Sequence, residues 1–218
     1  QGMAAEAGSL FDPNLPYCNV EITPYNYDKD KAIAILEDAG WLDKDGDGIR
    51  EKDGVKLEGE LLYSTHIPVM EDLALVLSAQ LKEVGMDMKL NNMEVAASFG
   101  EQEKGNYAIT HTWTYGGVWD PHTTIANAKP SPGNNGALNR AFRLIDKAAE
   151  LIDELNVTAD KNKIQQIYDF LFKEINDQAL FLPIYYSKEL VVYNSDKIED
   201  YRFAGSLGSV YIPSIKLK

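Results

Sequence analysis

Four groups of residues in this chain of 218 residues are of types that could do chemistry. The run Asp43-Lys44-Asp45-Gly46-Asp47-Gly48-Ile49-Arg50-Glu51 sets oxygen ligands at alternate positions with glycine sixth, which is how a calcium loop of the helix-loop-helix type begins. Its twelfth position, where such a loop needs a bidentate carboxylate, is Gly54, and a glycine-rich turn ahead of a strand has the same composition. The histidines are His66, His111 and His122, and no His-x3-His or Cys-x2-Cys spacing joins them into a zinc motif. His111 alternates with Ile109 and Trp113 and reads as a core or cleft-edge residue, while His122 follows Asp120-Pro121 and orients a turn or meets a ligand. Trp113, Tyr115 and Trp119 surround Gly116-Gly117. Rigid aromatic walls, with glycines that admit close backbone approach, are the usual lining of a small-molecule pocket.

Enzyme signatures are missing. The sequence holds no Gly-x-Ser-x-Gly elbow, phosphate loop or dinucleotide fingerprint. Cys18, the single cysteine, has no basic neighbour to activate it, and Tyr17 before it is a poor fit to a lipid-anchored cysteine. It reads as a buried thiol. The chain is therefore read as a binding module rather than an enzyme, with a carboxylate-dependent hydrolase as the alternative from another class. No motif asks for a cofactor or a resident metal.

Composition agrees. Hydrophobic residues make up 44% and charged residues 25%, enough for a sizeable core. A formal net charge of -13 repels phosphate backbones, so nucleic acid is a poor fit as a partner and none is expected. The first residue is not a methionine and no leader precedes the globular pattern, so the chain reads as an excised segment.

The elements that must hold these residues follow from periodicity. Ala32, Ile35, Leu36 and Ala39 predict a helix over 31–39, capped by Asp28 or Asp30 and closed by Gly40. Alternation predicts strands over 56–64, 86–95 and 107–113, separated by a helix from Pro68 to Val84 and a shorter one over 96–104. The inner stripe of the longer helix is read as Leu73, Val76, Leu77, Gln80, Leu81 and Val84. A long loop, 115–136, then leaves the third strand, and loops of that length are usually functional. Helices over 139–155 and 158–178 follow, the second capped by Thr158, then strands over 181–186 and 190–193 and a polar tail. The first twenty residues read as irregular. Strands alternating with helices predict an α/β fold with a mixed sheet covered on both faces, and ligands in such sheets bind beyond the carboxyl ends of the strands.

Three stretches then resemble the nickel/peptide-binding (extracellular family 5) solute-binding proteins of ABC importers. The first runs from Tyr27-Asp28 through Ala39-Gly40-Trp41 and Asp45-Gly46-Asp47-Gly48-Ile49 to Asp53-Gly54. The second is Trp113 followed by Trp119-Asp120-Pro121-His122, and the third is Leu182-Pro183-Ile184-Tyr185-Tyr186. The resemblance implies a type II periplasmic-binding-protein lobe, the C-terminal one, over residues 1–182. Residues 183–218 would be strands and a tail returning to a first lobe not present here. It also implies capture of a nickel chelate or similar small solute, or alternatively an oligopeptide or dipeptide, with Trp113, Tyr115, Gly117, Trp119 and His122 at the ligand. Gly117 stands where peptide-binding members carry an aspartate, and 129–135 lacks the histidine of well-known nickel-type members. The implied partners are the ligand, the permease subunits and the missing lobe. The implied location is the periplasm or the outer face of the cell membrane.

Overall fold

The computed structural model describes residues 4–66, 69–114, 120–188, 190–202 and 212–218. They fall into two compact units. A sheet unit comprises 26–112 and 132–140, and a helical unit comprises 1–25, 113–131 and 141–218.

The sheet unit opens with helix α1 (Lys29–Asp38), whose N-cap is Asp28, its carboxylate accepting the Lys31 N–H. Gly40 N–H reaches Glu37 O and Trp41 N–H reaches Leu36 O, a Schellman close with Gly40 in the left-handed region. The expected apolar face is only partly inward, since Ile35 is exposed and no residue of α1 is fully buried. A short ribbon of β2 (Glu51–Lys52) and β3 (Val55–Lys56) follows, turning at Asp53-Gly54.

Strands β4 (Glu58–Tyr63), β5 (Asp87–Asn92) and β6 (Ile109–Thr110) form a parallel sheet in the order β5-β4-β6. Helix α2 (Val69–Lys82) joins the first two and α3 (Val95–Lys104) the second and third. Side-chain alternation sorts the faces. Leu61, Tyr63 and Met88 pack with Ala74 of α2, backed by Met70, Leu77 and Leu81. The opposite face presents Leu62 and Thr110, and Gln102 of α3 donates to Thr110 Oγ1 at 3.0 Å. The two helices thus cover opposite faces, as expected of an α/β sheet. The α2 stripe is rotated from the expected one. Val76 and Gln80 are exposed and Ala74 is buried, because the face against β4 runs 70-74-77-81. The third strand is also shorter than 107–113, being paired only at Ile109 and Thr110.

The helical unit holds α4 (Pro121–Asn127), α6 (Ala148–Val157) and α7 (Lys161–Asp177), while α5 (Ala137–Phe142) lies where the chain passes from one unit to the other. Its core is aromatic. Phe172 stacks on Phe11 at 5.9 Å and meets Tyr168 at 5.7 Å, and Tyr168 meets Tyr17 at 5.6 Å. Ile167, Leu171 and Ile175 complete the buried stripe of α7, as its periodicity predicts.

Several expectations are corrected here. The loop 115–136 contains α4. The helix over 139–155 is two helices, because Phe142, Ile145 and Ala148 are buried at a spacing of three through tight i→i−3 turns and Lys147 takes a left-handed φ of 58°. Asp160 rather than Thr158 caps α7, since its carboxylate accepts from both Asn162 and Lys163. The N-terminal stretch supplies strand β1 (Ala4–Glu6), antiparallel to β7 (Tyr185–Ser187). That strand starts after Pro183, which has no N–H to pair. Residues 190–193 form no strand among the described residues, and Val192 is 99% exposed. The tail instead forms a ribbon of β8 (Ile198–Asp200) and β9 (Lys216–Leu217).

Candidate ligand-binding site

In the sheet unit the site is built by topology. β4 hands the chain to one face of the sheet, and β5, on its far side, hands it to the other. The order β5-β4-β6 therefore makes β4/β6 a switch point, where α/β sheets place ligands at the carboxyl ends. Two histidines stand there. His66 follows β4 by three residues and is exposed, and His111 follows β6 directly and is half-buried. Their ring centroids are 6.2 Å apart with the planes tilted by 40°. Burial pushes His111 below the ordinary histidine range, a backbone hydrogen bond with Leu62 opposes this, and His66 adds to it. Behind them lies a buried polar chain. Gln102 donates to Thr110 Oγ1, and Thr110 Oγ1 donates to the Leu62 carbonyl at 3.2 Å. Ser64 Oγ is 3.3 Å from His66 Nδ1.

In the helical unit the Asp-Pro-His run has a local structural explanation. Asp120 is the N-cap of α4, accepting from the His122 N–H at 3.0 Å and from Thr123 Oγ1 at 2.8 Å. Pro121 occupies the first turn, where its missing N–H costs nothing. Thr124 and Ile125 then bury fully, anchoring the helix and leaving His122 half-buried near its start. Trp113 is 40% exposed. Tyr115, Gly117 and Trp119 lie outside the described residues, so of the predicted site residues the structure places Trp113 and His122.

The acidic loop is closed on itself. Asp43 accepts from the Gly46 and Gly48 N–H groups, Asp45 from Asp47, and Asp47 from Ile49. The Lys56 ammonium hydrogen-bonds Asp47 and stands 3.3 Å from Asp45. Cys18 is 2% exposed, with burial first and Asp12 second pushing its thiol up to about 12, so it is the inert thiol its context suggests. Two crevices of the helical unit lie elsewhere. One of about 30 Å³ lies among Gly8, Pro24, Phe172 and Phe181, and an open one of about 370 Å³ lies along Arg143–Glu150. Neither includes a predicted site residue.

The His66–His111 pair went unread in the sequence because strand order is not visible there. A partial signal existed, since His66 follows closely on the strand predicted over 56–64 and His111 lies in the second half of the one predicted over 107–113.

A sequence profile described as bacterial extracellular solute-binding proteins, family 5 middle, matches residues 1–136. The chain belongs to this family. It is 32% identical over 196 residues to a nickel-binding periplasmic protein of Escherichia coli, a match covering 88% of the chain and 36% of that protein. It is 24% identical over 188 residues to the oligopeptide-binding protein AppA of Bacillus subtilis, covering 85% and 34%. The chain thus spans about a third of the length of the curated relatives it matches. Two solved structures share the fold over the whole chain and 43% of their own length. They are NikA of Brucella suis in complex with Fe(III)-EDTA (TM-score 0.84, 24% identity) and AppA of Bacillus subtilis with a nonapeptide (TM-score 0.75, 23% identity). The α/β reading and the family resemblance are both borne out. The relatives named are binding proteins rather than enzymes, and no described helix is long and apolar enough to cross a membrane.

Proposed function

We propose that this chain is the C-terminal lobe of an extracytoplasmic solute-binding component of an ABC importer, capturing a nickel chelate or similar small solute. The observation that carries the proposal is the second matched stretch, set in its structural frame. An exposed Trp113 leads into an aromatic, glycine-rich segment that ends at the Asp120-capped N-terminus of α4. Membership of family 5 supports it, and so does the higher identity to the nickel-binding relative.

Trp113, Tyr115 and Trp119 would supply the apolar walls, Gly117 the close backbone approach, and His122 a polar edge. Residues from about Pro183 onward would return to a first lobe, and ligand would be enclosed by hinge closure between lobes. The permease would then receive it at the outer face of the membrane. Peptide capture is the second reading, favoured by the oligopeptide-binding relative. Against it stands Gly117, where an ammonium-binding aspartate would be needed.

The test is ligand titration of the two-lobed protein with Trp113→Ala and Trp119→Ala. A rigid aromatic wall accounts for a factor of about 10 or more in affinity, roughly 1.4 kcal/mol or above. Unchanged affinity in both variants would remove this segment from the site.

A further inference from the structure

The passage from α6 to α7 carries a sequence pattern that solute capture leaves unused. Glu154-Leu155-Asn156-Val157-Thr158 contains the chain's single Asn-x-Ser/Thr triplet, and its middle residue is valine rather than proline. That triplet is the acceptor signal for N-linked glycosylation of exported chains. An acid stands two residues ahead of the asparagine, which is the longer form of the signal that bacterial oligosaccharide transferases read. In an extended chain, residues two apart point to the same side. Glu154, Asn156 and Thr158 then present a carboxylate, a carboxamide and a hydroxyl to one surface, with Leu155 and Val157 turned to the other.

The fold separates these three groups and leaves room for the product. Glu154 to Val157 form the last turn of α6, where residues two apart lie on different faces. The Glu154 carboxylate is 3.0 Å from the Lys163 ammonium of α7, and the Thr158 N–H closes the helix on the Glu154 carbonyl at 3.1 Å. Leu155 is 1% exposed and ties the turn to the core. The extended form therefore belongs to the chain before α6 docks. Asn156 is exposed in the finished fold, beside Val157 at 84%. Thr158 is already extended (ψ 140°), where the chain bends toward the Asp160 cap of α7. A saccharide on Asn156 Nδ2 thus leaves the buried Ile152 and Leu155 undisturbed.

We infer that Asn156 is an N-glycosylation site, receiving an oligosaccharide from a lipid-pyrophosphate donor outside the cytoplasm before α6 and α7 pack. The Asn156 carboxamide nitrogen bonds to the anomeric carbon of the donor sugar. The bond from that carbon to the pyrophosphate oxygen breaks, the lipid pyrophosphate departs with the electron pair, and one amide proton passes to a base of the transferase. Nothing is oxidised or reduced. The glycan is bulky and solubilising, and it shields the exposed end of α6 around Val157. The inference rests on the solute-binding reading only for export of the chain to the compartment where the donor lies.

The test exports the 218-residue chain in bacterial cells that hold a lipid-linked oligosaccharide and an acid-requiring transferase, with a proven acceptor protein as control. The intact mass should rise by one oligosaccharide, and fragmentation of the tryptic peptide 148–161 should place it on Asn156. Asn156→Gln and Thr158→Ala should abolish the addition, Glu154→Gln should lower its occupancy, and Thr158→Ser should retain it. Asn156→Gln changes an exposed side chain, so its urea midpoint should match that of the unmodified parent and separate lost modification from lost folding. A synthetic peptide of residues 148–161 should accept sugar from the purified transferase where the folded chain does not, and equal transfer to the folded chain overturns the proposed order. An unmodified parent beside a modified control, or an addition that survives Asn156→Gln, overturns the site. Absence of the glycan from a protein that captures solute refutes the site alone. A glycan on Asn156 of a protein that captures none supports the site and refutes the transport reading.

Discussion

Arg50 and Gly85 stand so close that a methyl group added to Gly85 would lie 2.6 Å from Arg50 Cγ. The guanidinium that this contact positions donates to the Val84 carbonyl at 2.8 Å, the Trp41 carbonyl at 2.9 Å and Glu37 Oε1 at 3.1 Å. The run from Asp43 therefore ends in a clasp joining the C-terminal ends of α1 and α2, and the segment's first role is architectural. Gly85 is also left-handed, at φ 85°. Gly85→Ala should cost about 1–2 kcal/mol for the backbone alone, and more for the contact, read as a lowered urea midpoint. Arg50→Met should cost about 1–3 kcal/mol by leaving carbonyls unsatisfied. Parent-like midpoints for both would dissolve the clasp.

The acidic loop should not respond to calcium. Asp43, Asp45 and Glu51 each bring an oxygen within 4.8 Å of the others, but Asp43 is committed to backbone N–H groups and Lys56 already balances Asp45 and Asp47. Thermal unfolding with about 1 mM calcium should match that with chelator. A rise of several degrees, abolished by Asp45→Ala, would assign the loop a structural ion instead.

Gly59 in β4 lies hard against Ala108, the residue that leads into β6. A Cβ there would stand 2.5 Å from that of Ala108, with the Met88 sulfur at 3.6 Å behind it. Gly59→Ala should destabilise the sheet unit by about 1–3 kcal/mol through overpacking. Adding Ala108→Gly should return part of that loss, a coupling that a double-mutant cycle measures directly. Strict additivity would mean that the strands move apart at little cost.

His111 predicts the direction of an acid transition. Its folded-state proton affinity is lowered by burial, while the unfolded chain takes up that proton near pH 6.5. Between the lowered value and about 6.5 the unfolded state holds more protons, so stability rises with pH across the window and is lost as pH falls through it. His111→Gln should flatten the slope of unfolding free energy there by up to one proton. An identical slope in the variant would mean that the ring titrates normally in the fold.

Much of this was legible in the sequence because the signals were local. Asp28 and Gly40 bracket α1, Gly85 and Gly105 stop α2 and α3, and the alternation around Leu61 and Met88 marks the buried strands. Long-range choices were not legible. Pairing of β1 with β7 links residues nearly the whole chain apart, and the break at Lys147 depends on which residues the core accepts. The aromatic segment was readable by composition, and α4 within it needed Asp120-Pro121 to be seen as a cap followed by a helix start. The histidine pair depended on strand order, which periodicity does not encode.

The central claim is solute capture, and calorimetric titration of the proposed two-lobed protein tests it most directly. The ligands are a nickel chelate and, separately, short oligopeptides, with ester and glycoside hydrolysis assayed alongside. The account predicts saturable one-to-one binding of the chelate, weaker or no binding of the peptides, and no turnover. Absence of binding to either class, together with hydrolysis abolished by a single Asp→Asn substitution, would contradict it.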